Sequence, residues 1–366
     1  MSALADDNMS QRPAEQPGAP PAPDERAEQA ARARQRELTK PPGSLGRLED
    51  LACWFAGRLR RPIPDMPRAE IFVFAADHGV AAQGVSAFPQ AVTASMLANF
   101  AQGGAAINVL ARLHDCRIEV IDVGVAAAEG PPSGIRNERI RPGTRDLTQT
   151  AAMNPGEVAA ALEVGRKCAR EALERGAGLL IAGDMGIANT TAAACLISAL
   201  TGTAPASVVG RGTGVDDAGL ARKLAAVNKG LERLARFSPE SVGPQRALRT
   251  LAEVGGLEIA AMAGFYLEGA RVGVPLLLDG YISSAAALCA VAIEPATQQW
   301  MLASHRSAES GHAIALTALG MTPLVDLGMR LGEGTGAVLS LPIIRAALAL
   351  HEQMATFSEA GVPDKT

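Results

Sequence analysis

Glu333 stands between two glycines in the string LGEGTGA (331–337), directly ahead of a helical pattern. A carboxylate there can complement the positive end of the helix dipole. Kept ionised by the same field, it can equally serve as a general base. Residues 183–191, GDMGIANTT, follow an apolar run and lead into a helix expected to reach Thr201. Gly183, Gly186 and the other small residues let a ligand approach the backbone, and the helix start offers N–H groups to a phosphate. Asn189, Thr190 and Thr191 add side-chain donors, and a plain strand-to-helix turn with a threonine cap explains the same residues equally well.

Lys223 lies two turns into the helix that follows GRGTG (210–214), within reach of a phosphate, although a solvated lysine is the commoner meaning of such a position. The glycines of 210–214 fail the dinucleotide fingerprint because Val215 occupies the sixth place. A tight turn into a helix capped by Asp216 or Asp217 is the expectation. Asp279, followed by Gly280, ends an apolar run where acids often accept from ribose hydroxyls, and an ordinary Asp-Gly turn fits nearly as well. His78, His305 and His312 show no metal-ligand spacing and are read as structural or supporting residues, so no metal and no cofactor is expected.

These groups need strands to bring them together. Short, mainly apolar runs without strict alternation, at 71–75, 118–123, 179–182, 207–209, 275–278 and 324–327, read as buried strands. Helical patterns between them predict an α/β chain: a doubly wound, mostly parallel, Rossmann-like sheet whose ligands gather beyond the strand C-termini. A helix over 156–175 is expected, with Asn154 as cap, Pro155 at its start, and Ala161, Leu162, Cys168, Ala172 and Leu173 on its apolar face. A solvated helix over 24–38 stops at Pro41-Pro42, and Ser44 caps a second one through Arg60. The expected division is a disordered tail at 1–24, a helical region at 25–65, a catalytic α/β domain at 66–335, and a C-terminal helix in 336–366 that joins 25–65 as a smaller helical domain.

With 48% hydrophobic but only 3% aromatic residues, the helices must pack on the sheet through small side chains. A net charge of -4 gives no attraction to nucleic acid or anionic membranes. Cys53, Cys116, Cys168, Cys195 and Cys289 form no CxxC pair and suit a reducing compartment. No secretory leader is apparent, and no stretch reaches the roughly 20 apolar residues of a membrane helix. A cytoplasmic protein with small-molecule partners, no nucleic acid and no membrane, is expected.

Taken together, the motifs resemble the nicotinate-nucleotide:dimethylbenzimidazole phosphoribosyltransferase family of cobalamin lower-ligand synthesis. The segments are TKPPGSLGRLEDLA (39–52), ADHGV (76–80), GVSAFPQAVT (84–93), GDMGIANTTAAA (183–194), GRGTGVDD (210–217), LDGYISSAAA (278–287), SHRSAESGH (304–312) and LGEGTGA (331–337). Eight collinear segments are far more specific than any one turn. The resemblance implies a homodimer that transfers the 5-phosphoribosyl group of nicotinate mononucleotide to a benzimidazole with inversion, Glu333 being the general base. It implies a phosphate on the backbone of Gly186, Ile187, Ala188, Asn189, Thr190 and Thr191, with Lys223 and Ser307 nearby and Asp279 and Gly280 toward the ribose. Ser86, Phe88, Gln90, Met185 and Leu331 would contact the benzimidazole. Similar proteins usually carry Glu at Asp184 and Gly at Ala188; a methyl at 188 is compatible with the turn only if its backbone angles are ordinary. The rival readings are a related phosphoribosyltransferase with a phenolic or purine acceptor, and a nucleotide-binding protein without catalysis.

Overall fold

The computed structural model describes residues 18–236 and 243–363. Its six strands are β1 (Ala69–Ala76), β2 (Arg117–Gly124), β3 (Arg136–Asn137), β4 (Leu179–Met185), β5 (Leu276–Leu278) and β6 (Met301–Ala303). They form one sheet in the order β3-β2-β1-β4-β5-β6, and every neighbouring pair is parallel.

Strand β1 shows why the runs lack alternation. Ile71, Val73 and Ala75 enter the core on one face while Phe72, Phe74 and Ala76 enter the core on the other, and all are buried. One face carries the helices Pro155–Glu174, Asn189–Thr201, Leu257–Arg271 and Tyr281–Ile293. The other carries Arg47–Leu59, Val92–Ala101, Ala106–Leu113 and Thr335–Gln353. The N- and C-terminal helices also meet: Arg34 donates to the carbonyl of His351 (2.8 Å), and Gln35 bonds its Nδ1 (2.8 Å).

Helix Pro155–Glu174 starts as expected, with Asn154 and Glu157 exchanging backbone-to-side-chain hydrogen bonds of 2.7 and 2.8 Å. Its Leu173 is 39% exposed and lies off the buried face. The two strand expectations at 207–209 and 324–327 are not met. Pro205 at a first helical position starts the short helix Pro205–Val208 instead. The later segment makes only one bridge, His305 to Val325, because the sixth strand has already ended at Ala303. The strands β3 and β6, two and three residues long, have no counterpart among the expected runs. Ser44 is no cap: its N–H closes a turn onto Pro41, and the helix begins at Arg47 behind Gly46. Helix Glu25–Glu37 is not solvated all round, since Ala27, Ala31 and Gln35 are buried. The C-terminal helix starts earlier than the expected boundary, at Thr335.

Most of the tail expected to be disordered lies outside the described residues. Within them, the Pro21 carbonyl accepts from the Trp300 indole (3.0 Å) and Asp24 caps the first helix. No described helix is long and apolar enough to cross a membrane.

Candidate active site

The strand order reverses between β1 and β4, and open α/β sheets bind ligands at that point, beyond the strand C-termini. A cleft of about 410 Å³ lies there. It gathers the ends of β4, β5 and β6 with the turns around Phe88, Gly212 and Glu333. A larger cavity of about 830 Å³, between helices Pro155–Glu174 and Pro244–Val254, is lined by Met153, Leu162, Leu248 and arginines. No strand C-terminus opens into it, so size is outweighed by the convergence of reactive groups in the smaller cleft.

One wall is anionic. Glu333 is 5% exposed and lines the cleft, and its Oε2 accepts from the Ile107 N–H at 3.3 Å. Its own N–H donates to the Asp184 carbonyl at 3.3 Å. The loop can lie this close to β4 because residue 183 is glycine: a Cβ there would collide with the Glu333 carbonyl group. Burial raises the Glu333 pKa above the usual glutamate value, opposed by the Ile107 N–H and reinforced by the charge of Asp279.

Asp184 lines the cleft too, and its Oδ2 accepts from the Asn189 amide at 2.8 Å. Burial, then the nearby Asp279 charge, holds its carboxyl well above the usual carboxylate range. Its proton affinity is thus raised beside the Glu333 loop, where the Asn189 amide is its hydrogen-bond donor.

The opposite wall is a set of donors. Lys223 is buried, and its Nζ donates to Thr190 Oγ1 (2.7 Å) and to the Gly210 carbonyl (3.0 Å). Burial lowers its pKa to about 8, opposed by the charge of Glu309. Thr190, Gly280 and Ser307 line the cleft in front of it, the last at the end of β6. The backbone N–H of Ser307 is committed to His312 Nδ1 (2.7 Å), and burial holds His312 neutral, with a pKa of about 3.

The structure brings together most of the residues expected from sequence: Phe88, Asp184, Met185, Gly186, Ile187, Asn189, Thr190, Gly280, Ser307, Leu331 and Glu333 all line this cleft. Others stand back from it. Thr191 is fully buried and its hydroxyl has no partner among the described residues. Ser86 bonds Thr213 (3.1 Å) and the Phe88 N–H (3.2 Å) at the rim, and Gln90 lies in the adjoining turn. Lys223 reaches the cleft only past Thr190. Asp279 is enclosed, with both carboxylate oxygens taken by the N–H groups of Gly334 (3.1 Å) and Ala337 (3.0 Å).

In the turn 186–191 several backbone donors already have partners. Ile187 N–H donates to Thr93 Oγ1 (3.1 Å), Asn189 N–H to Gly186, and Thr191 N–H to Ala188. These donors are thus engaged within the fold, while the Thr190 hydroxyl lines the cleft with Lys223 behind it. Ala188 has φ 74°, so the condition of ordinary backbone angles fails. Its methyl packs into the hydrophobic core rather than the cleft, which is how the residue is accommodated.

Residues that sequence reading gave no role also line the cleft, Thr213, Tyr281, Glu309 and Arg330, as does His305, read there as structural or supporting. Glu309 accepts from the Gly212 N–H (3.4 Å) and Arg330 donates to the Gly212 carbonyl (2.5 Å), so the 210–214 turn is clamped over the cleft. Their adjacency to Ser307 and Leu331 was the available signal. The acid at the end of β2, Asp122, which would serve a dinucleotide ribose in a Rossmann domain, is instead held by Arg139 (2.8 Å) and the Val125 N–H (2.7 Å).

A family model described as phosphoribosyltransferase matches residues 20–362. The nicotinate-nucleotide–dimethylbenzimidazole phosphoribosyltransferase of Chromobacterium violaceum is 61% identical over 340 residues, 93% of this chain and 97% of that one. The protein of the same name from Chloroflexus aurantiacus is 49% identical, covering 93% and 96%. The crystal structure of the enzyme of that name from Thermus thermophilus superposes with a TM-score of 0.87 at 48% identity, covering 93% of this chain and 100% of that one. With that coverage and a matching parallel sheet, the chain belongs to the nicotinate-nucleotide–dimethylbenzimidazole phosphoribosyltransferase family.

Proposed function

We propose that this protein transfers the 5-phosphoribosyl group of nicotinate mononucleotide to 5,6-dimethylbenzimidazole, giving α-ribazole 5′-phosphate and nicotinate. The observation that carries the reading is the shared cleft: a buried carboxylate on one wall, and hydroxyls backed by a buried lysine on the other. A molecule with a phosphate at one end and a transferable carbon at the other can span them.

The bond between C1 of the ribose and the pyridinium nitrogen breaks with its electron pair going to the ring, so nicotinate leaves uncharged at nitrogen. The unprotonated benzimidazole nitrogen attacks C1 from the opposite face, which inverts the sugar. Positive charge spreads to the second ring nitrogen, and Glu333 accepts the proton it sheds. Its raised proton affinity suits a base that works late in the step. Phe88, Met185 and Leu331 form apolar walls for the acceptor. Thr190, Lys223 and Ser307 are assigned to the phosphate. Holding two flat rings on opposite sides of one carbon supplies up to about 7–11 kcal/mol.

The active unit is read as a homodimer. Phe88 and Leu331 are 54% and 58% exposed at the cleft mouth, which supports a second copy covering them. Five free cysteines support a reducing, cytoplasmic setting. Incubation with nicotinate mononucleotide and dimethylbenzimidazole, followed by chiral and mass analysis, should yield α-ribazole phosphate and one nicotinate per turnover. Preferential transfer to a competing phenol or purine would replace the acceptor assignment, and no nicotinate release at all would end the proposal.

A further inference from the structure

We infer that Asp279 is a positioning residue for the Glu333 loop, holding the base in place through the backbone of Gly334 and Ala337, and is not a ligand of the ribose. The inference rests on the function proposed above and concerns the residue that sequence reading placed beside the sugar.

The loop needs an external clamp. Gly332, Glu333 and Gly334 have φ of 87°, 62° and 89°, so a side-chain-bearing residue is held in the left-handed region inside a run of such residues. A glutamate there is strained and stays only where its surroundings dictate it. Two sets of bonds do so. From β4, the Asp184 carbonyl takes the Glu333 N–H. From the end of β5, the Asp279 oxygens take the N–H groups on the C-terminal side of Glu333, at 3.1 and 3.0 Å.

Asp279 is itself fixed. Its N–H donates to Ser283 Oγ (2.9 Å), and that hydroxyl pairs with Tyr266 (2.6 Å). His305 Nδ1 stands 3.7 Å from Oδ1, under Gly336, where any Cβ would run into the imidazole. The Asp279 side chain has no exposure, and both oxygens are occupied. A ribose hydroxyl would have to displace the clamp to reach it. The same negative charge raises the proton affinity of Glu333.

A double-mutant cycle separates the two roles. Asp279→Asn keeps the shape but can accept at only one of the two positions. It should lower kcat about 10²-fold, the scale of a misplaced reacting group, while calorimetric affinity for nicotinate mononucleotide stays within about twofold. In a Glu333→Gln background the same change should cost less than about twofold more, since it acts through a base already removed. The acid limb of kcat should move to lower pH in Asp279→Asn, because Glu333 loses a negative neighbour.

Equal weakening of nucleotide binding in both backgrounds, or fully additive losses of kcat, would overturn the inference. Ala337→Pro, which removes one of the two N–H donors in the first helical turn and leaves the Asp279 charge, should lower kcat with the acid limb unmoved. It carries the cycle alone if Asp279→Asn does not fold. Wild-type protein that forms no α-ribazole phosphate defeats the function itself, whereas wild-type turnover with additive variants defeats only the role of Asp279.

Discussion

The wall built from β4 and the 332–334 loop differs from the wall behind Thr190 in both charge and backbone. The first carries Glu333 on a left-handed loop clamped by Asp279, beside Asp184 near the end of β4; the second carries a lysine on the regular helix Asp217–Leu234. A proton acceptor must meet one ring nitrogen at one angle, so its backbone is over-determined at a cost in strain. A phosphate accepts donors from many directions, so side chains on a relaxed helix suffice. Of the described side-chain-bearing residues that line the cleft, Glu333 alone is left-handed; Ala188, ahead of Thr190, is left-handed too but packs into the core.

Removing the base should give the largest effect. Glu333→Gln is expected to lower kcat by about 10²–10⁴-fold with substrate affinities little changed, measured by steady-state turnover and calorimetry. A drop confined to KM would erase the contrast between the walls. Next, Lys223→Met should act on the other wall, raising KM for nicotinate mononucleotide roughly tenfold or more and kcat much less, as loss of a charge-assisted bond of about 1.5–3 kcal/mol implies.

The walls should also titrate differently. On the acid side kcat should fall as Glu333 takes a proton, at a pH above the ordinary glutamate value because burial has raised it. On the alkaline side KM for the nucleotide should rise as pH passes about 8, where Lys223 loses its charge in the free protein. A pH–rate series with nucleotide titrations at each point separates the limbs. For stability the Lys223 sign is fixed by its lowered value: the unfolded chain holds the proton more tightly between pH 8 and about 10.4, so this group's penalty shrinks as pH rises through that window.

The smallest effect should come from Ala188→Gly. Relief of the left-handed alanine, offset by glycine's unfolded-state entropy, leaves a gain of about 0.5–1 kcal/mol, readable as a higher Tm with kcat unaltered. A lower Tm would mean that the buried methyl contributes more than the strain it imposes.

Much of this contrast was legible in the sequence, though unevenly. The runs at 71–75 and 179–182 are apolar on both faces, as in a covered parallel sheet, 118–123 is mainly apolar around Glu119 and Asp122, and the end of 179–182 announced Asp184 and Met185. The Arg136–Asn137 strand escaped because two polar residues carry no period, and 207–209 misled because composition cannot distinguish a three-residue strand from a helical turn started by Pro205. Glu333 stood out by its flanking glycines, which are needed for the loop's sign of φ. Asp279 was located but its partner was not, since no local pattern reveals that its oxygens meet amides more than fifty residues later. Glu309 and Arg330 were missed for the same reason: they act on Gly212 across loops distant in the chain.

A crystal structure of the Glu333→Gln protein with nicotinate mononucleotide and dimethylbenzimidazole bound tests most directly whether the two walls hold the two ends of one reaction. The glutamine amide should lie within hydrogen-bond distance of the benzimidazole nitrogen that does not attack, with the phosphate against Thr190 and Lys223 and C1 of the ribose between them. A phosphate seated elsewhere, or residue 333 facing away from the acceptor ring, would contradict it.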